Sequence, residues 1–320
     1  MSVVNVKIKK INDIVIKQPS SNIKDERPPR CKEMFNDCYS NVFIVARKKS
    51  GKSTLISNMI KKIVGRDTHV IIFCSTIHKD AVWGSIKDWL KKNQIKHTSF
   101  LGITEGKVDH LKQFMSSLEQ ESLEKELDED DDTEGDEDDL KNEDVKKPKK
   151  YFSDDEQDEE DEEFEDMPEE EDENEDFRSV PYSKIKFVKK QTSVRRKEPF
   201  QTPEYLLILD DISNELKNPT LEAWYKRSRH YKAFTISSTQ YINDVRPASL
   251  RQQDAVLCFK GLDLPKLKKL YTDADITNIP FETFCDMYHN ATETPYSFFY
   301  IGVRNDQFRK NFDKLYIVDV

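Results

Sequence analysis

Eight consecutive residues, Ala46-Arg47-Lys48-Lys49-Ser50-Gly51-Lys52-Ser53, hold the densest chemistry in the chain. An apolar run, Val42-Phe43-Ile44-Val45, precedes them, and a helix-like segment, Thr54-Leu55-Ile56-Ser57-Asn58-Met59-Ile60, follows. Strand, turn and helix in that order aim backbone N–H groups and the positive end of a helix dipole at one spot. A triphosphate suits that spot. The turn from Ala46 through Lys49, Ser50 and Gly51 to Thr54 would cradle it. Lys52 would reach the β- and γ-phosphates of ATP, and the Ser53 hydroxyl would bind Mg²⁺. The pattern is G-x-x-x-x-G-K-[ST], with Ala46 in place of the first glycine, so the opening of the loop must avoid a glycine-only conformation.

Two carboxylates supply the complementary chemistry. Tyr205-Leu206-Leu207-Ile208-Leu209-Asp210-Asp211 reads as a buried strand that ends in acid. Asp210 stands where a Walker B aspartate belongs and would hold Mg²⁺ through water, opposite Ser53. Asp211 is placed to polarise an attacking water as general base. The next apolar run ends in Ser238-Thr239-Gln240, and Gln240 is the candidate to bond the γ-phosphate or the water, because ligands in such sheets bind at strand carboxyl ends. Arg227 and Arg229 precede that run. An arginine from a neighbouring subunit can stabilise charge on a transferring phosphoryl group, with Arg229 the first choice and Arg227 the second.

The elements that must position these groups follow from hydrophobic patterning. Strands are expected at 69–74, 234–240 and 255–259, and helices at 81–92, 108–127 and 221–229. The face of the 81–92 helix is read as Val82, Ile86, Trp89 and Leu90. Short apolar strands alternating with helices predict an α/β fold with a mainly parallel sheet covered on both faces. Further strands are expected at 13–16 and 184–189. Cys31, Cys38, Cys74, Cys258 and Cys285 form no C-x-x-C pair; Cys74 and Cys258 lie in strand-like apolar runs, where buried thiols are expected, and a reducing compartment fits best. No apolar run is long enough to span a bilayer, and the N-terminus lacks the apolar core of a secretion signal.

The net charge of −10 conceals a division. Residues 119–176 hold 34 acidic and 6 basic residues, a charge of −28, and the rest holds 27 acidic and 45 basic residues, a charge of +18. The acidic run cannot bury a core and is expected to be a disordered insert. The organisation expected is an N-terminal extension (1–34), a first core part (35–118), the insert (119–176) and a second core part (177–320). The basic remainder suggests a polyanionic partner.

Taken in order, these residues resemble the genome-packaging ATPases of nucleocytoplasmic large DNA viruses, within the FtsK–HerA class of P-loop motors. The matching pieces are 42–53, 206–211, Arg229-His230, Ser238-Thr239-Gln240, 245–251, and Ala291-Thr292 followed by 296–301. The likeness spans about 35–316, with the acidic insert outside it. It implies an additional-strand P-loop NTPase core, a homo-oligomeric ring, and ATP-driven pumping of double-stranded DNA into a capsid. It also implies a capsid or portal-vertex partner, in host cytoplasm at viral assembly sites or associated with the virion. Lys52 and Ser53 would belong to Walker A, Asp210 and Asp211 to Walker B, Gln240 would be the sensor and Arg229 the trans finger. Two other readings remain. One is a helicase-like or DNA-segregating translocase without a capsid, and the other a non-catalytic protein whose acidic insert binds basic partners.

Overall fold

A computed structural model describes residues 25, 27–131 and 199–317. The expected strands at 13–16 and 184–189 and most of the acidic run lie outside these residues. The described chain builds a nine-stranded sheet. Its strands are β1 (Asn41–Val45), β2 (His69–Cys74), β3 (His97–Phe100), β6 (Tyr205–Asp210), β7 (Ala233–Thr239), β8 (Ala255–Phe259), β9 (Phe298–Gly302), β10 (Gln307–Lys310) and β11 (Lys314–Leu315). The order across the sheet is β11-β10-β9-β8-β1-β7-β6-β2-β3. A small separate pair joins β4 (Thr104–Glu105) to β5 (Val108–Asp109).

From β8 to β3 every pairing is parallel, and β9, β10 and β11 add an antiparallel margin. Strands β1, β2, β7 and β8 are fully buried and β6 nearly so, as a sheet covered on both faces requires, whereas the edge strand β3 is mostly half-buried. Side chains alternate between two cores. Val42 and Ile44 face one, where α1 (Lys52–Ile63) and α2 (Ala81–Lys92) pack through Ile56, Met59, Trp83, Ile86 and Leu90. Phe43 and Val45 face the other, covered by α3 (His110–Asp131), α4 (Pro219–Arg227), α6 (Leu264–Asp273) and α7 (Phe281–Ala291). A short helix, α5 (Pro247–Leu250), precedes β8.

Helix starts follow local chemistry. Asp80 accepts from the Val82 N–H, Asn218 from Thr220 and Asp263 from Lys266, each at a helix entrance. The inner face of α2 differs from the sequence reading. Trp83, Ile86 and Leu90 are buried, at i, i+3 and i+7, whereas Val82 and Trp89 only pack along the margin. Both sets fit a helical stripe, and packing against β6 selects the one that carries Trp83.

Two boundaries also shift. The extension expected to end at 34 is already packed, because Cys31 and Met34 are buried and Pro29 bridges Gln201. The insert expected from 119 begins inside a helix. The buried stripe Leu111, Phe114, Met115 and Leu118 ends at that point, but α3 continues to Asp131. Glu119 Oε1 accepts from Arg227 Nη1 at 2.6 Å and from the Tyr231 hydroxyl at 3.0 Å. A deletion of 119–176 is therefore expected to be less stable than a deletion of 132–176, since it also removes Glu119 and the last turns of α3. Urea titration of both proteins checks this, and equal midpoints would show that 119–131 contributes nothing.

Candidate functional site

All six parallel strands run the same way, so their carboxyl ends share one edge of the sheet. β7 lies between β1 and β6, with Ile44 opposite Ser238 and Leu209 opposite Ser237. The loop after β1, the end of β7 and the acidic end of β6 are thus neighbours in space, although they lie far apart in sequence. The Ala46 N–H donates to the Thr239 carbonyl at 2.9 Å, which fastens the start of the loop to the tip of β7.

The loop turns back through two left-handed residues, Lys49 (φ +64°) and Gly51 (φ +92°). Ala46 has no positive φ, so the alanine at the usual glycine position is unstrained there. Gly51 caps α1 without a side chain, and the first turn holds no acidic residue. Its N–H groups and dipole are left for an anion. Arg47, Lys48 and Lys49 are exposed around it.

Lys52 opens α1 and is nearly buried. Its Nζ lies 2.7 Å from Asp210 Oδ1 and 2.6 Å from Asp211 Oδ1. Burial opposes the charge on Lys52, but the two carboxylates together outweigh it and hold the ammonium above the ordinary lysine range. Asp210 is 0% exposed. Its Oδ2 accepts from the indole Nε1 of Trp83 at 3.1 Å, and its Oδ1 from the Ser238 hydroxyl. Asp211 adopts a left-handed φ of +54°. Consecutive strand residues point to opposite faces, and this twist breaks the alternation so that both carboxylates meet one ammonium. The Ser75 hydroxyl donates to the Asp211 carbonyl at 2.6 Å and pins the turn.

The structure brings Lys52, Asp210 and Asp211 together and sets Ser53 and Thr54 in the first turn of the same helix, beside Ser50 and Gly51. Gln240 lies just past β7 and lines a small cavity of about 30 Å³ with Ala46, Arg47, Lys260 and Lys266. Ser238, two residues earlier, is the side chain that touches Asp210. Arg229 lies at the opposite edge of the sheet. Its Nη2 is 3.0 Å from Asp254 Oδ1 and 3.3 Å from Asp37 Oδ2, and Asp254 also accepts from the N–H of Asn41, the first residue of β1. Five strand residues separate it from the loop, roughly 17 Å. Within its own chain Arg229 does not reach the site. Arg227 is exposed and paired with Glu119.

Trp83, Ser238 and Ser75 were not singled out by sequence reasoning. Ser238 was within reach of it, since it sits in the run that ends at Gln240, but its partner is fixed by the β6–β7 register.

A strand inserted between the phosphate-loop strand and the aspartate strand decides the fold. It is an additional-strand P-loop NTPase fold.

No family model matches the chain, and no curated protein matches it. Among solved structures, the genome packaging NTPase B204 from Sulfolobus turreted icosahedral virus 2, in complex with AMP, is similar at 14% identity. That match covers 89% of this chain and 100% of that one, with a TM-score of 0.44. B204, the DNA-packaging ATPase from Sulfolobus turreted icosahedral virus, gives 14% identity, 88% and 98% coverage and a TM-score of 0.45. Strand order and loop geometry, rather than these distant superpositions, define the fold.

Trp83→Phe keeps an aromatic ring but removes the N–H that bonds buried Asp210. Leaving that acceptor short is expected to cost about 1–3 kcal/mol. Chemical denaturation measures it, and an unchanged midpoint would show that the bond is idle.

Proposed function

We propose that this chain is an ATP-driven translocase that packages viral genomic DNA into a capsid, hydrolysing ATP in a ring of identical subunits. One observation carries the catalytic half of this reading: the Lys52 ammonium between Asp210 and Asp211, at the N-terminus of a helix with a bare, acid-free first turn. The packaging half comes from the ordered likeness to packaging ATPases across 42–53, 206–211, 229–230 and 238–240. The +18 charge outside the acidic run supports a polyanionic partner.

The residues fit a magnesium–nucleotide. Among the described residues no cluster of three His, Cys, Asp or Glu could hold a metal. Magnesium in phosphate sites needs none, since it keeps several waters and takes one or two protein oxygens beside the phosphates. Ser53 and Asp210 would hold it, and bound magnesium would supply charge neutralisation on the phosphate oxygens. Lys52 carries a full charge and three donors, so it can exchange a carboxylate for phosphate oxygens. Asp211 is partly open to solvent and takes up a proton from an attacking water once Lys52 has moved off it. Gln240, one residue past the loop's anchor at Thr239, is the proposed sensor. Arg229 is proposed as the finger for a neighbour's site. Among the described residues no helix is long and apolar enough to cross a membrane. A capsid or portal-vertex protein is the proposed docking partner, in host cytoplasm at assembly sites.

The test is ATPase rate with and without duplex DNA, alongside the mass of the assembly. Duplex DNA is expected to stimulate hydrolysis by an oligomer. Lys52→Ala is expected to abolish hydrolysis and weaken nucleotide binding, and Asp211→Asn to bind ATP and hydrolyse it poorly. Since Lys52 also neutralises buried Asp210, circular dichroism must show each variant folded. A folded Lys52→Ala protein that hydrolyses ATP at the wild-type rate would end the catalytic reading. DNA-insensitive hydrolysis by a monomer would end the motor.

The shared site has its own test. A trans arginine contributes about 10³-fold or more in rate. Arg229→Ala subunits mixed with Lys52→Ala subunits are expected to regain part of the activity, because some interfaces then hold both residues. If the oligomers mix and no ratio recovers activity, Arg229 is not the finger.

A further inference from the structure

Two loops touch the phosphate loop from the side away from Asp210 and Asp211, and the chemistry above gives neither a role. The first follows β8. Arg47 Nη2 donates to the Gly261 carbonyl at 2.5 Å, and Gly261 has a φ of +125°. A side chain at Gly261 would run into Arg47. The second loop joins α7 to β9. A Cβ on Gly51 would lie 3.2 Å from Cδ1 of Tyr296, so the Tyr296 ring rests against the glycine that caps α1.

Between these loops opens a cleft of about 330 Å³. Lys260, Gly261 and Leu262 line one side, and Tyr288, His289, Thr292 and Glu293 the other. The first side is held firmly. The Tyr288 hydroxyl accepts from the N–H groups of Gly261 and Leu262, each at 2.9 Å, and donates to the Phe259 carbonyl at 3.0 Å. Tyr296 lies three residues past Glu293. It is 73% exposed, with a φ of +64°. A bulky residue in that conformation is strained, and an exposed ring gains little packing to offset it. Strain of this kind gathers at ligand clamps.

We infer that this cleft and Tyr296 form the nucleoside subsite of the phosphate loop, with the Tyr296 ring as the platform on which the base stacks. The inference rests on the phosphate-loop reading and extends it. Phosphates seated at the N-terminus of α1 have the carboxylates on their β7–β6 side. The remainder of the ligand therefore extends toward β8 and β9, where the cleft lies. Its volume meets the lower end of the ~300–1,000 Å³ usual for small-ligand sites. Stacking accepts any base because every base has a π-face. Tyr296 thus supplies affinity for nucleosides generally. Discrimination among bases falls to His289, Glu293 and the backbone of the loop at 260–262.

Calorimetric titration with ATP and with inorganic tripolyphosphate, both with Mg²⁺, tests this. The proteins are wild type, Tyr296→Phe, Tyr296→Ala and Tyr296→Gly, the last removing the ring while relieving the left-handed backbone. Wild type is expected to bind ATP at least ~10-fold more tightly than tripolyphosphate, in line with a stacked base. Tyr296→Ala and Tyr296→Gly are expected to lose about that factor for ATP and nothing for tripolyphosphate, while Tyr296→Phe stays close to wild type. Unchanged ATP affinity in the Ala and Gly variants overturns the subsite. Equal losses for both ligands overturn it too, because Tyr296 would then act by propping Gly51. Wild type binding tripolyphosphate as well as ATP overturns the subsite alone. Wild type binding neither overturns the phosphate-loop reading along with it.

Discussion

One ammonium group organises the carboxyl edge of the sheet. Asp210 is withdrawn from water, and a buried carboxylate without a partner is costly. Lys52 supplies the charge, Trp83 and Ser238 supply the remaining donors, and Asp211 shares the same Nζ from the neighbouring position. These five residues come from α1, α2, β6 with the turn after it, and β7. The interaction forms only when two helices and two parallel strands stand in register. Breaking one partner of a buried pair typically costs ~3–5 kcal/mol. The order of the edge and the proposed grip on phosphate therefore draw on the same charge. A lysine that hands its charge to phosphate leaves Asp210 needing another cation, and a magnesium ion shared with Ser53 would be that cation.

The legible part of this structure is the part written in contiguous residues. Gly51-Lys52-Ser53 after an apolar run, and Asp210-Asp211 at the end of another, state their chemistry locally because a phosphate loop needs one turn and one helix start. Strands β2, β6 and β8 and helix α2 were equally plain, since fully buried runs and strong caps leave little ambiguity. What sequence could not show depends on what lies across space. Trp83 and Trp89 both fit a helical face of α2, and nothing within the helix says which meets a carboxylate 127 positions away. Ser238 gains its role from the β6–β7 register. Tyr296 gains its place from a loop that returns over Gly51. The insert boundary set at 119 falls inside α3 for a different reason. Composition reports where burial stops, at Leu118, and a helix backbone continues past its last buried side chain when polar contacts such as Glu119 with Arg227 and Tyr231 hold it.

The position of Arg229 constrains any ring. It sits by the amino end of β1, whereas the phosphate loop sits at the carboxyl end. An interface in which Arg229 completes a neighbour's site must set the amino edge of one subunit against the carboxyl edge of the next. That contact is heterologous, and heterologous contacts generate closed rings or open helices rather than two-fold dimers. Arg229 is also engaged at home by Asp254 and Asp37, and its Nε is buried without a hydrogen bond among the described residues. Burial raises the Asp254 carboxyl above its ordinary range despite the N–H of Asn41 and the nearby Arg304 and Arg229. The local grip on Arg229 thus comes from one buried acid that Arg304 shares and one more exposed one. That is a weaker tether than the Lys52 pair, and it leaves the guanidinium with a donor to spare.

The same geometry separates the two charge systems of the chain. Glu119 contacts Arg227 and Tyr231, just before β7 begins, so α3 crosses the sheet toward its amino edge. Twelve further helical residues carry it roughly 18 Å past that contact to Asp131. The described chain resumes at 199 and enters β6 through Glu204, whose carboxylate pairs with Lys232 at the same edge. Glu119 and Glu204, the described acids nearest the two ends of this gap, thus both stand at the amino edge. The exposed Arg47, Lys48 and Lys49 stand at the other edge. Screening reduces interactions between exposed charges over about 8–10 Å at physiological salt. The pairs Glu119–Arg227 and Glu204–Lys232 consequently act within the amino edge, and the loop cations at the other edge lie outside their reach.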